Sequence, residues 1–266
     1  LVHRDALAEF RSRALSPARP RSTGVALGRE LFWQQAESDN ARLFAVPGRV
    51  QDAMDAVAGA TGRKYSLFEY SGCPEAEAVV VAMGAGAQTV ELAVDRLRRI
   101  GKKVGVLKVH LYRPWAAERF LSALPKTVKR VAVLDRTYEP TASGEPLFLD
   151  VTASLRERKA ITHIVGGRYA IGDHDFTVEM AESVFAELGS ESPRKRFSVG
   201  IIDDVTHLSL PMPPKPMPLP PRREGDKSAL QCVFWGIGGD GTVSANRSAA
   251  SIVCDQREEI AAQAIL

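Results

Sequence analysis

Cysteine is scarce in this sequence. Its three residues, Cys73, Cys232 and Cys254, lie far apart in a chain of 266 and are odd in number. They form neither a disulfide framework nor a cluster with metal-ligand spacing, and a reducing cytoplasm is the setting they imply. Charge of one sign is lacking as well. The 35 Lys and Arg residues are nearly balanced by 32 Asp and Glu, and the basic ones are spread among the acids. This removes the electrostatic footprint of nucleic-acid binding. No apolar run approaches the roughly 20 residues that span a bilayer, so no membrane role is expected. The histidines His3, His110, His163, His174 and His207 show no ligand spacing. His174 stands between Asp173 and Asp175, which reads as a solvated loop rather than a metal site. No Ser–His–Asp order is legible, and no two carboxylates stand out as an acid/base couple. Gly84 and Gly86 supply only part of a dinucleotide fingerprint, which needs three glycines at fixed offsets and an acid after the next strand. A nicotinamide site is excluded on that ground.

What is present is the pattern of a parallel sheet. With 45% hydrophobic and 25% charged residues, the composition is that of an ordinary globular chain of one or two domains. Ala78–Met83 is continuously apolar, as in a strand buried on both faces. Thr89–Ile100 is an amphipathic helix stopped by Gly101. Val104–Val109 reads as the next strand, followed by a helix over Ala116–Leu124, a strand over Arg130–Leu134, a loop over Asp135–Pro146 and a helix to about Lys159. Strands over Ile161–Val165 and Phe197–Ile202 enclose a helix over Thr177–Leu188. This alternation predicts an α/β fold, a mostly parallel sheet with helices on both faces. Residues 1–62 show no such alternation. There Arg4–Leu15 reads as a short helix, and Val46-Pro47-Gly48 precedes a helix over Arg49–Ala60 with Val50, Met54 and Val57 at helical spacing.

Ligands of a parallel sheet lie beyond the carboxyl ends of its strands. Three loops fit that position: Met83-Gly84-Ala85-Gly86, Arg113-Pro114 and Asp135-Arg136-Thr137. The charged residues Asp135, Arg136 and Glu139 either bind a ligand or, as the plainer reading, form ion pairs that fix the loop or a domain contact. Residues 209–228 are a linker, because Pro211, Pro213, Pro214, Pro216, Pro218, Pro220 and Pro221 forbid a helix and favour an extended path. Beyond it, Cys232–Trp235 reads as a buried strand. Gly236, Gly238, Gly239 and Gly241 follow, and Val243–Val253 has helical spacing. A strand, a glycine turn and a helix point free N–H groups at an anion, and glycine lets a phosphate approach the backbone. Tight strand-to-helix turns also use glycine without any ligand.

The string FWGIGGDGTVSANRSA at 234–249 does not stand alone. Together with VGVLKVHLYRP at 104–114, LPKTVKRVAVLDRT at 124–137, GEPLFLDV at 144–151, GRY at 167–169 and VGIIDDVT at 199–206, it closely resembles the central part of the pyruvate:ferredoxin (flavodoxin) oxidoreductases. The resemblance implies a domain plan. Residues 1–62 are the tail of a pyrimidine-side thiamine domain and its connector. Residues 63–208 are a second domain similar to the C-terminal domain of transketolases, and 229–266 begin a third, coenzyme A-binding, gamma-type domain.

It also implies an activity. That family oxidatively decarboxylates pyruvate on thiamine diphosphate with magnesium, passes electrons through iron–sulfur clusters to ferredoxin or flavodoxin, and transfers the acetyl group to coenzyme A. The family's coenzyme A loop falls on Gly239, Asp240, Gly241, Thr242 and Val243. The family usually has serine where Gly239 stands and glycine where Ser244 stands. No catalytic residue and no metal ligand carries over, and the thiamine, magnesium and cluster sites belong to parts of the enzyme outside this chain. The implied partners are the acceptor protein, the remaining domains and a second subunit in a homodimer.

The sequence opens at Leu1 and stops at Leu266, soon after a strand and a helix that cannot bury a core of their own. It reads as an internal piece, inactive alone. The rival readings are a stand-alone phosphate- or coenzyme A-binding or scaffold module from a truncated gene, and a gene relic.

Overall fold

The computed structural model describes residues 3–18, 20, 28–172 and 174–211, together with 245, 246, 248 and 249. The chain divides into two compact units, Leu1–Val46 and Pro47–Leu266. The first holds helix α1 (Arg4–Ser12), whose opening amides are capped by the His3 imidazole accepting from the Ala6 N–H at 3.3 Å. It also holds the start of α2 (Arg29–Thr61), which has Pro47 inside it. The sequence predicts that this helix begins only at Arg49. Proline forfeits one hydrogen bond and glycine weakens a helix by about 1 kcal/mol. Those costs are local. The good helix formers ahead of them, among them Gln34, Gln35, Ala36, Glu37, Ala41, Arg42 and Leu43, propagate the helix cooperatively.

The second unit is built on seven strands. They are β1 (Phe68–Gly72), β2 (Ala78–Met83), β3 (Val104–Val109), β4 (Arg130–Asp135), β5 (His163–Arg168), β6 (Arg196–Val199) and β7 (Ser209–Leu210), in the spatial order β1-β3-β2-β4-β5-β6-β7. Every neighbouring pair is parallel except β1 with β3, which run antiparallel from Phe68 opposite Val109 to Gly72 opposite Gly105. The helices between strands are α3 (Ala85–Arg99), α4 (Ala117–Ala123), α5 (Pro146–Leu155) and α6 (Val178–Gly189).

The continuous apolar runs have a direct cause: both faces of the sheet are covered. Alternate residues go to opposite cores. Val80 and Ala82 of β2, Val106 of β3 and Ala132 and Leu134 of β4 face Val90, Ala93 and Val94 of α3 and Val184 and Leu188 of α6. Val79, Val81, Leu107, Val131 and Val133 face Phe120 of α4 and Leu147, Val151 and Leu155 of α5. Full burial of such a side chain contributes about 1.5–3 kcal/mol. Val50 and Met54, from the last turns of α2, pack on the second of these cores. Gln51 fastens the same turns, donating to the Tyr65 carbonyl at 3.2 Å and accepting from the Leu67 N–H at 3.3 Å. Among the described residues no helix is long and apolar enough to cross a membrane.

Candidate functional site

In the order β3-β2-β4 the chain winds outward from β2 to one side and then to the other. The loops after β2 and β4 therefore part beyond the strand ends, and such a crevice is where open α/β sheets hold ligands. Here both loops are bonded to other parts of the same domain. Gly84 caps α3 with φ +67° and ψ −154°, a conformation that belongs to glycine. Gly86 is required for a different reason, because a β-carbon there would run into the ring of Tyr169. That ring is buried, stacks at a tilt on Phe176 with centroids 4.5 Å apart, and donates its hydroxyl to the Met83 carbonyl at 3.4 Å. Burial pushes its phenol pKa up. Gly84 of this turn thus serves backbone geometry, and Gly86 makes room for the Tyr169 ring.

The loop after β4 is committed in the same way. Asp135 is 1% exposed. Its two carboxylate oxygens accept from the N–H groups of Leu147 at 2.9 Å and Phe148 at 3.1 Å, in the first turn of α5. Pro146 has no N–H to satisfy, so one carboxylate supplies what that helix start needs. Burial raises the Asp135 pKa, against the lowering effect of those two amides. Arg136 donates from Nε to the Ala170 carbonyl at 2.7 Å and from Nη2 to the Gly172 carbonyl at 3.4 Å. Glu139 enters only through its backbone carbonyl, which accepts from Arg196 at 3.5 Å. The loop is fixed, as the plainer reading holds, but by side-chain bonds to the backbone rather than by ion pairs within the trio.

After β3, Arg113 reaches Asp150 of α5 at 2.7 Å and lies over the Tyr112 ring at 3.9 Å. The Tyr112 hydroxyl donates to the same carboxylate at 3.0 Å. Its pKa is pushed up to about 12, first by burial and then by that bond.

One cluster escapes sequence reasoning altogether. Glu145, nearly fully buried, holds Arg196 at 2.9 Å and Arg168 at 3.8 Å, and Arg168 also sits over the Tyr138 ring at 5.1 Å. The one signal for it is an acid directly ahead of the proline that opens α5. These cations brace β5 and β6 against the loop before α5, sharing one buried carboxylate.

No group of three or more His, Cys, Asp or Glu side chains among the described residues could hold a metal ion. Cys73 is a free, half-buried thiol. The described residues therefore do not fit magnesium or an iron–sulfur cluster. Asp173, Cys232, Cys254 and the loop Gly239, Asp240, Gly241, Thr242 and Val243 lie outside the described residues.

Residues 76–180, from just ahead of β2 into α6, match the family described as pyruvate:ferredoxin oxidoreductase core domain II. Over 258 residues, 97% of this chain, the sequence is 44% identical to pyruvate:ferredoxin oxidoreductase of Moorella thermoacetica. The chain is thus strongly homologous to one part of the pyruvate:ferredoxin/flavodoxin oxidoreductases. A pyruvate-flavodoxin oxidoreductase of Enterobacter agglomerans is 42% identical over 97% of the chain, and an NADP(+) pyruvate dehydrogenase of Euglena gracilis mitochondria is 49% identical over 93%. The chain spans 22% of the length of the Moorella and Enterobacter oxidoreductases and 14% of that of the Euglena protein. A solved 2-oxoglutarate:ferredoxin oxidoreductase of Magnetococcus marinus aligns with 47% of this chain and 20% of its own at 23% identity, with a TM-score of 0.37. The core domain II match takes in the crevice loops after β2, β3, β4 and β5.

Proposed function

We propose that this chain works as a structural domain, with a coenzyme A loop attached, of a longer pyruvate:ferredoxin/flavodoxin oxidoreductase. Residues 63–208 act as the domain similar to the C-terminal domain of transketolases. Gly239 to Val243 contribute backbone N–H groups to the phosphates of coenzyme A. The whole enzyme converts pyruvate and coenzyme A to acetyl-CoA and passes electrons to ferredoxin or flavodoxin. Its thiamine diphosphate, magnesium and iron–sulfur clusters are bound by other domains.

The observation that carries this reading is homology along nearly the whole chain at 44% identity. The bonding of the strand-end loops supports the structural part of it. Tyr169, Asp135, Arg136 and Arg113 each have a partner inside the domain, so these side chains serve its architecture. Arginine and carboxylate groups are spent on bracing strand ends against helix starts.

Coenzyme A titration of the purified 266-residue chain, followed by calorimetry, separates this reading from a stand-alone binding module. A chain that supplies only part of a coenzyme A domain gives weak or no heat, with a Kd on the order of 1 mM or above, a binding free energy no stronger than about −4 kcal/mol. Saturable micromolar binding that disappears in Gly241→Trp establishes the binding module instead.

A further inference from the structure

The connection from β6 to β7 spends its hydrogen bonds inward and its apolar side chains outward. The two strands are parallel neighbours, with Ser198 opposite Ser209. Residues 200–208 therefore return the chain without a helix. Gly200 has φ +87° and His207 φ +58°. The Asp204 carboxylate accepts from the Thr206 N–H at 3.0 Å, the Thr206 hydroxyl at 2.9 Å and the Ser209 N–H at 2.5 Å. The Ser209 hydroxyl accepts from the Ile201 N–H at 3.1 Å, and the Leu208 carbonyl accepts from Ser198 at 3.0 Å. A loop pinned at this many points has one shape to present. What it presents is Ile202, 99% exposed, and Val205, 90% exposed, with Ile201 half out beside them. Asp203 lies between the two apolar tips in sequence and is also exposed.

We infer that this loop is a docking element for another domain of the same polypeptide. Ile202 and Val205 enter an apolar socket, and a Lys or Arg at the socket's rim meets Asp203. This rests on the proposed reading of the chain as one domain of a longer oxidoreductase. Two observations select that occupant. The chain accounts for 22% of the length of the relatives it matches along 97% of its own, so most of such a polypeptide is available to supply the socket. A second copy meeting this one loop tip to loop tip is disfavoured by charge. A two-fold contact through the loop tip is isologous and brings Asp203 to Asp203, and like charges facing each other repel. Burial rewards the arrangement, since β-branched side chains leaving water are what drive such contacts. The hydrogen-bonded frame lowers the ordering cost of docking.

Hydrogen exchange of residues 202–205, measured in the 266-residue chain and in the longer polypeptide, tests it. Docking slows these amides at least about tenfold in the longer polypeptide. The double variant Ile202→Asp/Val205→Asp restores fast exchange there, while the melting temperature of the 266-residue chain is unchanged because these side chains are exposed in it. Equal exchange in both proteins overturns the inference. So does slow exchange already present in the 266-residue chain and rising with its concentration, which places a second copy on the loop. The longer polypeptide's pyruvate-dependent reduction of an acceptor is a separate readout. Its absence removes the functional reading, while the exchange data still decide the docking.

Discussion

Arg96→Ala lowers the unfolding free energy of the chain by about 3–5 kcal/mol, the usual cost of stranding a buried charge. Arg96 lies on α3 with its side chain 3% exposed. It reaches Glu179 at 2.9 Å and Glu182 at 3.4 Å, both on α6. Its Nε has no hydrogen-bond partner among the described residues, so the attraction of those two acids is what offsets the guanidinium's loss of water. Removing it leaves the Glu182 carboxylate, 8% exposed, without its cation in the seam between two helices. Urea unfolding followed by circular dichroism measures the loss. The triple variant Arg96→Met/Glu179→Gln/Glu182→Leu recovers most of it, because a whole buried ion set replaced by apolar groups of similar volume is close to neutral or better.

The same pair gives the pH dependence its sign. The bond to Arg96 is the first cause of a Glu179 pKa below the ordinary 4.5. In the window between the lowered folded value and 4.5, the unfolded chain binds more protons than the folded one. The contribution of Glu179 to stability is therefore fully present above 4.5 and disappears as the pH falls through the folded value. In Arg96→Ala the main cause of that lowering is gone, and the acid limb of the stability curve flattens accordingly.

Phe120→Ala costs about 3–5 kcal/mol on the opposite face of the sheet. Phe120 is fully buried on α4. Its ring meets Phe68 edge-on at 5.7 Å and Trp115 at 5.1 Å, and Trp115 in turn meets Phe68 at 5.2 Å. Alanine removes one corner of this aromatic triangle, two of its three ring contacts, and leaves a cavity under a helix of only seven residues. Leu149→Ala is the matched control. Leu149 lies on α5 and is 42% exposed, so its truncation shifts the urea midpoint far less, by about 0.5 kcal/mol or under.

The sequence made the sheet's centre plain and its edges obscure. β2 and β3 have the bounds read from their apolar runs, because strands covered on both faces carry their burial in every residue. β1 is an edge strand of mixed polarity, Phe-Glu-Tyr-Ser-Gly, whose antiparallel partner β3 lies far along the chain, and β7 is a pair of residues. Neither has a local pattern to read. Helix α3 begins at Ala85, ahead of the expected Thr89, since glycines at 84 and 86 look like a turn until Tyr169 is seen packed against one of them. Strand β6 ends at Val199 instead of running to Ile202, because Gly200 turns it at φ +87°. At the strand ends, Asp135 and Arg136 stood out by their charge, but their partners did not. Amides of α5 and carbonyls 34 and 36 positions away are chosen by the fold. The Glu145 cluster joins residues 51 positions apart for the same reason. Resemblance of whole strings in a fixed order carried the functional reading, which periodicity alone could not.

The most direct test of this account is pyruvate-dependent reduction of a redox dye by the purified 266-residue chain. Thiamine diphosphate, magnesium and coenzyme A are supplied, with the longer polypeptide assayed beside it. The account predicts no turnover above the no-protein blank for the 266-residue chain and acetyl-CoA formation by the longer polypeptide. Thiamine-dependent turnover by the 266-residue chain alone contradicts it, since that result requires a complete active site within these residues.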